Sequence, residues 1–287
     1  AMVTPFDDKD DIDFEQTTRL VHFLIDHGSD GLVVAGTTGE SATLTTEEKL
    51  ALFEHVVKAA KGRATVIVGT GSNNTKATIE LTKEAEKLGI NGIMLVAPYY
   101  NRPDQSGLYE HFKAVANATS LPVMIYNVPS RTSVHIEAET IIKLSEIDNV
   151  VSVKEASGDL AQMSAIIEET KADFTLYSGD DGLTLPALSI GGYGVVSVAS
   201  HIIGNEMKEM ITAFKKGNIE KAASLHRKLL PVMKVLFKQP SPVPVKTALT
   251  LEGFETESVR LPLVPLTEEQ KANLFQTIQS ALNRLKN

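Results

Sequence analysis

Eight short apolar runs, each followed by a longer stretch with the apolar spacing of a helix, constrain the fold of this chain more than any other feature. The runs are continuously apolar rather than alternating, which is typical of strands covered on both faces, and helical connections make such strands parallel. Eight units of this kind predict an α/β fold, a closed (β/α)8 TIM barrel. The predicted strands are Ala1 to Thr4, Leu32 to Ala35, Thr65 to Gly69, Gly92 to Val96, Pro122 to Tyr126, Val150 to Lys154, Thr175 to Ser178 and Gly194 to Ser197.

The alternative fold is an open, doubly wound sheet. A dinucleotide-binding sheet of that kind carries G-x-G-x-x-G after its first strand, but the nearest match, Gly69-Thr70-Gly71, has no third glycine. From about Asn205 onward the sequence has only helical periodicity. We therefore predict a barrel carrying the active site at residues 1–217 and a C-terminal helical region at residues 218–287. Among the helix starts, Thr45-Thr46-Glu47-Glu48 resembles an N-terminal cap with an acidic first turn.

Composition narrows the class of function. The net charge of −8 argues against a nucleic-acid surface, which needs clustered Lys and Arg. The absence of Cys excludes disulfides, thiolate nucleophiles and Cys-bearing metal sites. No apolar run approaches the roughly 18 residues that a membrane span needs, and no leader pattern opens the chain. We expect a cytoplasmic protein that acts on small molecules, without nucleic-acid or membrane partners.

Chemically active side chains follow four of the predicted strands. In a barrel the active site lies at the carboxyl ends of the strands, so these positions carry the most information. The segments are Gly36-Thr37-Thr38-Gly39-Glu40-Ser41, Pro98-Tyr99-Tyr100-Asn101, Tyr126-Asn127-Val128-Pro129-Ser130-Arg131 and Lys154-Glu155-Ala156.

Lys154 is the candidate nucleophile. Period-two geometry places it on the same side of its strand as Ser152, facing the barrel interior. Burial disfavours the charged form of an amine, and the free amine can attack a carbonyl to form an iminium. The alternative is a lysine whose ammonium extends to solvent at the barrel rim. For an isolated lysine that alternative is the more common outcome, but the neighbouring residues favour the nucleophile.

Proton transfer and anion binding have candidates of their own. Tyr126 can donate and accept protons during Schiff-base chemistry, with Thr37 as a link to solvent, although each residue alone is more often structural. Gly36 and Gly39 allow backbone N–H groups to converge on the carboxylate of a 2-oxo acid. Arg131 can bind a second carboxylate, or it can form an ordinary surface ion pair.

With these residues assembled, the sequence resembles the dihydrodipicolinate synthase family, within the N-acetylneuraminate lyase superfamily of pyruvate aldolases. The resemblance covers nearly the whole chain. Its motifs are GTTGES (36–41), GTGSNNT (69–75), PYYNRP (98–103), YNVPSRT (126–132), VKEASGD (153–159), YSGDD (177–181), GGYGVVSV (191–198), PVPVK (242–246) and RLPLVPL (260–266).

The resemblance implies a lyase that condenses pyruvate with L-aspartate 4-semialdehyde to 4-hydroxy-tetrahydrodipicolinate in diaminopimelate and lysine biosynthesis. It implies no cofactor or metal beyond the covalent Schiff base, and a homodimer or homotetramer. By the same resemblance, the catalytic residues are Lys154, Tyr126, Thr37 and Tyr100, the last from a neighbouring subunit, and the substrate-binding residues are Thr38, Arg131, Gly179 and Val196.

Sister families share the lysine and the tyrosine but differ where the second substrate binds. GTTGES together with YNVPSRT favours the synthase over sialic acid lyases and sugar-acid aldolases. The chain departs from lysine-inhibited relatives at Thr46, Lys49 and Ala77, where those relatives carry His and Glu at an interface cleft. Because Lys49 would repel the ligand's ammonium and Ala77 offers no carboxylate, we expect weak or absent inhibition by lysine.

Two other classes of function remain as alternatives. A metal-dependent aldolase would need paired ligands, but the seven histidines show no H-E-x-x-H or similar spacing, and His201 at a strand end is interpreted as structural. A non-enzymatic barrel, serving as a sensor or a transcriptional partner, would give Lys154 no special role.

Overall fold

A computed structural model describes residues 1–286, with the exposure of side chains up to residue 285. From residue 31 to residue 215, strands alternate with helical segments, as the apolar runs predict, and two helices lie between the fourth and the fifth strand. The strands in these residues are β1 (Gly31–Val34), β2 (Thr65–Gly69), β3 (Gly92–Val96), β4 (Val123–Asn127), β5 (Val150–Glu155), β6 (Thr175–Ser178) and β7 (Gly194–Val195). The helices are α1 (Phe14–Asp26), α2 (Thr46–Ala60), α3 (Thr75–Glu86), α4 (Gln105–Ala116), α5 (Pro129–Thr132), α6 (Ala138–Leu144), α7 (Leu160–Glu169), α8 (Thr184–Ser189), α9 (Ser200–Lys215), α10 (Ile219–Val235), α11 (Val243–Ala248) and α12 (Glu268–Lys286).

The strand predicted from Ala1 to Thr4 is wrong, because these residues form no regular strand. Met2 N–H donates to Val33 O of β1 at 3.0 Å, as a strand neighbour would. Val3 N–H, which in a strand would face the neighbour on the opposite side, instead donates to a side chain, His201 Nε2, at 3.3 Å. The seven other runs form strands; three have the predicted ends, and the ends of the other four differ by one or two residues.

Compactness divides the chain into two units. One contains residues 66–197, and the other contains residues 1–65 together with the chain from residue 198 to its end. In the unit of residues 66–197, β2 to β7 pair in parallel and in sequence order. All residues of β4 are buried, and only Val151 of β5 is exposed. These strands are therefore covered on both faces, as their continuous apolar character predicts.

The other unit contains β1 and the helices α1, α2 and α9 to α12. This division by compactness does not test the predicted boundary after residue 217, which stays a prediction. Within residues 1–286, no helix is long and apolar enough to cross a membrane.

Helices begin where side chains cap them. The capping box predicted at Thr45 is confirmed: Glu48 N donates to Thr45 Oγ1, and Thr45 N donates to Glu48 Oε2. The side chains of Asn74, Asp104 and Asp159 accept from the first turns of α3, α4 and α7 in the same way. These caps start each helix shortly after the strand end that precedes it, which leaves short segments for functional residues.

Candidate active site

Lys154 and Tyr126 lie side by side at the carboxyl ends of neighbouring strands. The register of the parallel strands β4 and β5 pairs Tyr126 with Lys154. Both are buried, with 5% of Lys154 and 4% of Tyr126 exposed, and Lys154 Nζ lies 4.1 Å from the centroid of the Tyr126 ring. The structure therefore places the amine against the aromatic ring of the phenol that the sequence predicts.

The surroundings of Lys154 do not fit a solvent-exposed rim lysine. Only 5% of the residue is exposed, so its ammonium does not extend to solvent. Within residues 1–285, Lys154 forms no salt bridge. An amine that no carboxylate binds in an ion pair is sterically available to attack a carbonyl carbon.

Gly179 lies against the aliphatic part of Lys154. It follows β6, and its N–H donates to Glu155 O at 2.7 Å. A Cβ atom at this position would lie 2.6 Å from Ala156 Cβ and 3.1 Å from Lys154 Cε. Val196 follows β7, is buried, and donates its N–H to Ser178 O at 2.9 Å. Because Gly179 has no side chain, the aliphatic part of Lys154 can occupy the space beside it.

Arg131 lies in the short helix α5, directly after the strand of Tyr126. Its side chain is exposed. The alternative of a surface ion pair is not observed, because Arg131 forms no salt bridge within residues 1–285. An exposed guanidinium without a protein carboxylate is available to an anionic substrate.

Tyr100 is not brought to the buried amine. It is 89% exposed and has a left-handed backbone with φ of 74°. Its loop is held by Asn73 Nδ2, which donates to Tyr99 O at 3.1 Å, and by Asn101 Nδ2, which donates to Asn73 O at 2.9 Å. The loop is therefore ordered by its own hydrogen bonds, and it presents the Tyr100 phenol to the outside of the chain.

Thr37 and Thr38 belong to the other unit, in the turn that follows β1. Thr37 is half-buried and Thr38 is buried. Backbone N–H groups of this turn were expected to converge on an anion. Gly39 N and Ser41 N both donate to Gly36 O, and Glu40 N donates to Thr37 O, so these three groups bond within the turn; anion binding by the turn stays a prediction.

The same turn is held by a buried ion pair that sequence reasoning missed. Lys246 Nζ donates to Glu40 Oε1 at 2.7 Å and to Thr4 O at 2.9 Å, and neither side chain of the pair is more than 1% exposed. Burial lowers the pKa of Lys246, although the charge of Glu40 opposes that shift. Glu40 Oε2 also accepts from Arg260 N at 3.1 Å. The motif PVPVK ends on this lysine, but its apolar neighbours gave no indication of the partner.

His201 is structural, as its position near a strand end suggested. It is 1% exposed; its Nε2 accepts from Val3 N, and its Nδ1 donates to Val198 O at 2.8 Å. Burial lowers the pKa of His201 to about 3. Among the residues that the structure describes, no group of three His, Asp or Glu side chains is placed to hold a metal ion.

Comparison with known proteins gives consistent matches over nearly the whole chain. A profile of the dihydrodipicolinate synthetase family matches residues 1–281. The 4-hydroxy-tetrahydrodipicolinate synthase 1 of Halalkalibacterium halodurans is 60% identical over 283 residues, which cover 99% of this chain and 96% of that protein.

Solved structures agree with the fold. A dihydrodipicolinate synthase from Bacillus anthracis has a TM-score of 0.96 at 58% identity, and the match covers 98% of this chain and 96% of that one. A dihydrodipicolinate synthase from Cyanidioschyzon merolae with lysine bound has a TM-score of 0.96 at 48% identity, with 98% and 96% of the two chains covered. The predicted fold class, an α/β TIM barrel with a C-terminal helical region, is confirmed, with seven of the eight predicted strands formed in the described residues.

Proposed function

The chain belongs to the dihydrodipicolinate synthetase family, and from this premise we propose that it condenses pyruvate with L-aspartate 4-semialdehyde through a Schiff base on Lys154. The product is 4-hydroxy-tetrahydrodipicolinate, and the reaction is the lyase step of diaminopimelate and lysine biosynthesis. The observation that carries the role of Lys154 is its buried amine, 4.1 Å from the Tyr126 ring.

Schiff-base formation needs both an amine and a proton carrier. The free amine of Lys154 adds to C2 of pyruvate; its nitrogen then loses a proton and the carbonyl oxygen takes one up, which gives a neutral carbinolamine. A second proton lets that oxygen leave as water, and an iminium remains. Tyr126 donates and accepts these protons, while Thr37 and Tyr100 complete the path to solvent.

The iminium then withdraws electrons from the neighbouring methyl carbon. That carbon loses a proton, and the resulting enamine attacks the aldehyde carbon of the second substrate, whose oxygen takes up a proton. The amino group of the semialdehyde next displaces Lys154 from the iminium carbon, which closes the ring and frees the enzyme. The lysine supplies the electron sink, so the reaction as written needs no cofactor and no metal.

Substrate carboxylates have separate binding groups in this proposal. Arg131 binds the carboxylate of aspartate 4-semialdehyde, supported by its exposed guanidinium, which forms no salt bridge within residues 1–285. Thr38, Gly179 and Val196 line the pyruvate pocket, supported for Gly179 by its contact with the Lys154 side chain.

Assembly and location follow from the same proposal. The chain forms a homodimer or a homotetramer in which Tyr100 serves a neighbouring subunit, and its 89% exposure supports a role outside its own chain. A biosynthetic reaction on small polar acids fits the cytoplasm, with no nucleic-acid or membrane partner.

Reductive trapping tests the covalent step. Borohydride added with pyruvate is expected to leave a reduced adduct on Lys154, identified by peptide mass, and Lys154→Ala is expected to form none and to lose turnover. Activity that survives chelator would separate this chemistry from a metal-dependent aldolase. Full turnover by Lys154→Ala would overturn the proposal, and it would favour a different class of function.

Substrate choice is tested by a direct comparison of aldehydes. Turnover with aspartate 4-semialdehyde is expected to exceed turnover with N-acetylmannosamine and with glyceraldehyde, and Arg131→Ala is expected to raise the KM for the semialdehyde alone. A preference for N-acetylmannosamine would instead indicate a sialic acid lyase.

Weak or absent inhibition by lysine stays a prediction. Burial lowers the pKa of Lys49, but a cation at this position still disfavours the ammonium of free lysine. Strong inhibition by lysine at low millimolar concentration would refute it.

A further inference from the structure

Glu155, the residue after Lys154, is a carboxylate with no exposed surface. Consecutive residues of a strand point to opposite faces, so Glu155 lies on the face of β5 turned away from the amine. A buried carboxylate is costly unless positive or polar groups satisfy it. Glu155 forms no salt bridge within residues 1–285, so polar neighbours have to satisfy its charge.

Three N–H groups donate to this carboxylate. Ser157 N donates to Oε1 at 2.7 Å, Asn127 Nδ2 donates to Oε2 at 2.9 Å, and Gln162 Nε2 donates to Oε2 at 3.0 Å. Both oxygens therefore accept, as an ionised carboxylate does, and hydrogen bonds to a charged acceptor are stronger than neutral ones. The donors come from the end of β4, the turn after β5 and the first turn of α7.

The bond from Asn127 bears directly on the reacting groups. The register of β4 and β5 pairs Asn127 with Glu155 immediately after it pairs Tyr126 with Lys154. Asn127 is fully buried and also accepts from Ile136 N at 3.0 Å, which fixes the orientation of its amide. The bond between Asn127 and Glu155 thus holds β4 and β5 together on one face of the sheet. Lys154 and Tyr126 are the preceding residues of the two strands, and their side chains meet on the opposite face.

We propose that Glu155 is a positioning residue, whose carboxylate, bound by Asn127 and Gln162, fixes the Lys154 amine against the Tyr126 phenol for Schiff-base formation. The inference rests on the proposed function, because it assumes that Lys154 reacts with pyruvate. An apolar residue would fill the same space without the desolvation of a charge, so the carboxylate is expected to serve the geometry of its neighbours. A misplacement of about 1 Å can slow a reaction about a hundredfold.

The test is the rate at which pyruvate forms an adduct that borohydride reduces. Glu155→Gln keeps the size of the side chain but turns an N–H toward donors, so at least one of the three hydrogen bonds is lost. Intact-protein mass spectrometry of samples quenched at increasing times gives the rate constant of adduct formation and the fraction of chains that finally carry the adduct. We expect the rate constant to fall about tenfold or more. The fraction of chains that finally carry the adduct is expected to equal the fraction that is folded.

A milder variant and a matched control accompany it. Gln162→Met removes one donor from a half-buried position, and it is expected to slow adduct formation about threefold. Asn149→Ala is the control, because Asn149 Nδ2 donates to the carbonyls of Ala116, Thr119 and Leu121 near the amino end of β5, away from Lys154. It is expected to lower thermal stability and to leave the rate constant unchanged.

The outcomes separate positioning from ordinary stabilisation. Rate constants within about twofold of the unsubstituted chain in both Glu155→Gln and Gln162→Met overturn the proposal, and so does equal slowing in Asn149→Ala. If Glu155→Gln does not fold, Gln162→Met decides by the same criterion. Failure of the proposed function is distinct, because the unsubstituted chain then forms no adduct on Lys154.

Discussion

At the scale of single residues, Gly179 shows how little space surrounds the reactive amine. We predict that Gly179→Ala lowers kcat about tenfold to a hundredfold, because the new methyl group would lie 2.6 Å from Ala156 Cβ and 3.1 Å from Lys154 Cε. Lys154 would have to leave its place beside the phenol. The measurement is turnover per folded chain, with the folded fraction taken from circular dichroism.

A glycine one strand away provides the control for this substitution. A Cβ atom at Gly194 would meet only the Tyr177 ring, at 3.6 Å, which is an ordinary van der Waals contact. Gly194→Ala is therefore expected to keep turnover close to that of the unsubstituted chain. Equal losses in both variants would show that the effect of Gly179→Ala is a general effect of side chains at strand ends.

Because His201 is buried, we predict that the free energy of unfolding decreases in acid. Above pH 6.5 the imidazole is neutral in both the folded and the unfolded chain, so pH has no effect through it. Below pH 6.5 the unfolded chain takes up a proton, whereas burial keeps the pKa of folded His201 at about 3. The free energy of unfolding therefore falls as pH drops from 6.5 toward 3, by about 1.4 kcal/mol per pH unit from this group.

Urea unfolding at pH 7 and pH 5, at one protein concentration, measures this dependence. His201→Gln keeps an acceptor for Val3 N and a donor for Val198 O but has no proton to gain in this range. Its stability is expected to fall about 2 kcal/mol less between the two pH values than that of the unsubstituted chain. An equal fall in both proteins would contradict the assignment of this pH dependence to His201.

At the scale of secondary structure, the sequence predicts strands better than it predicts contacts. Burial on both faces leaves an uninterrupted apolar run, and β4, with every residue buried, is the clearest case. The Ala1 to Thr4 run has the same apolar character, but Val3 N–H bonds a histidine side chain 198 residues away. An apolar composition indicates that a segment is buried, but it does not indicate which group accepts the hydrogen bonds of its backbone N–H groups.

In the site, too, some contacts can be predicted from the sequence and others cannot. Lys154 and Tyr126 are predictable because both end predicted strands that are neighbours in a parallel barrel, where strand ends meet. Glu40 and Lys246 are 206 residues apart, and no local pattern links them. Their pairing depends on tertiary structure, so only the folded chain shows that the turn carrying Thr37 is held by Lys246 of α11.

Breaking that buried pair tests its part in stability. Lys246→Met leaves Glu40 buried and without its cation, and we predict a loss of about 3 to 5 kcal/mol in the free energy of unfolding. The double variant Lys246→Met with Glu40→Gln removes the uncompensated charge and is expected to be more stable than the single variant. Urea denaturation gives both values.

An exposed ion pair serves as the comparison. Lys58 and Glu54 lie one turn apart on α2, with 71% and 51% of their side chains exposed, so Lys58→Met is expected to cost about 0.5 kcal/mol or less. If Lys246→Met cost no more than Lys58→Met, the interpretation of the Glu40–Lys246 pair as a structural link between distant segments would be wrong.

At the scale of the whole molecule, the proposed site requires more than one chain. Lys154 is buried while Tyr100 is 89% exposed, and the resemblance assigns Tyr100 to the site of a neighbouring subunit. We predict that two variants of low activity, Lys154→Ala and Tyr100→Ala, restore activity when their subunits are exchanged. In a mixed dimer, one site then carries both substitutions and the other carries neither. Random pairing makes half of the dimers mixed, so about a quarter of all sites recover.

The result distinguishes donation across an interface from a role within the chain. If Tyr100 served its own chain, every site of a mixed dimer would carry one substitution, and no activity would return. Lys154→Ala mixed with Tyr126→Phe is the control, because both residues belong to the same strand pair and each mixed site then lacks one of them. Subunits with two different tags, refolded together and purified on both tags, make every molecule mixed and raise the expected recovery to about half of the sites. Recovery equal to that of the control would refute the placement of Tyr100 in a neighbouring site.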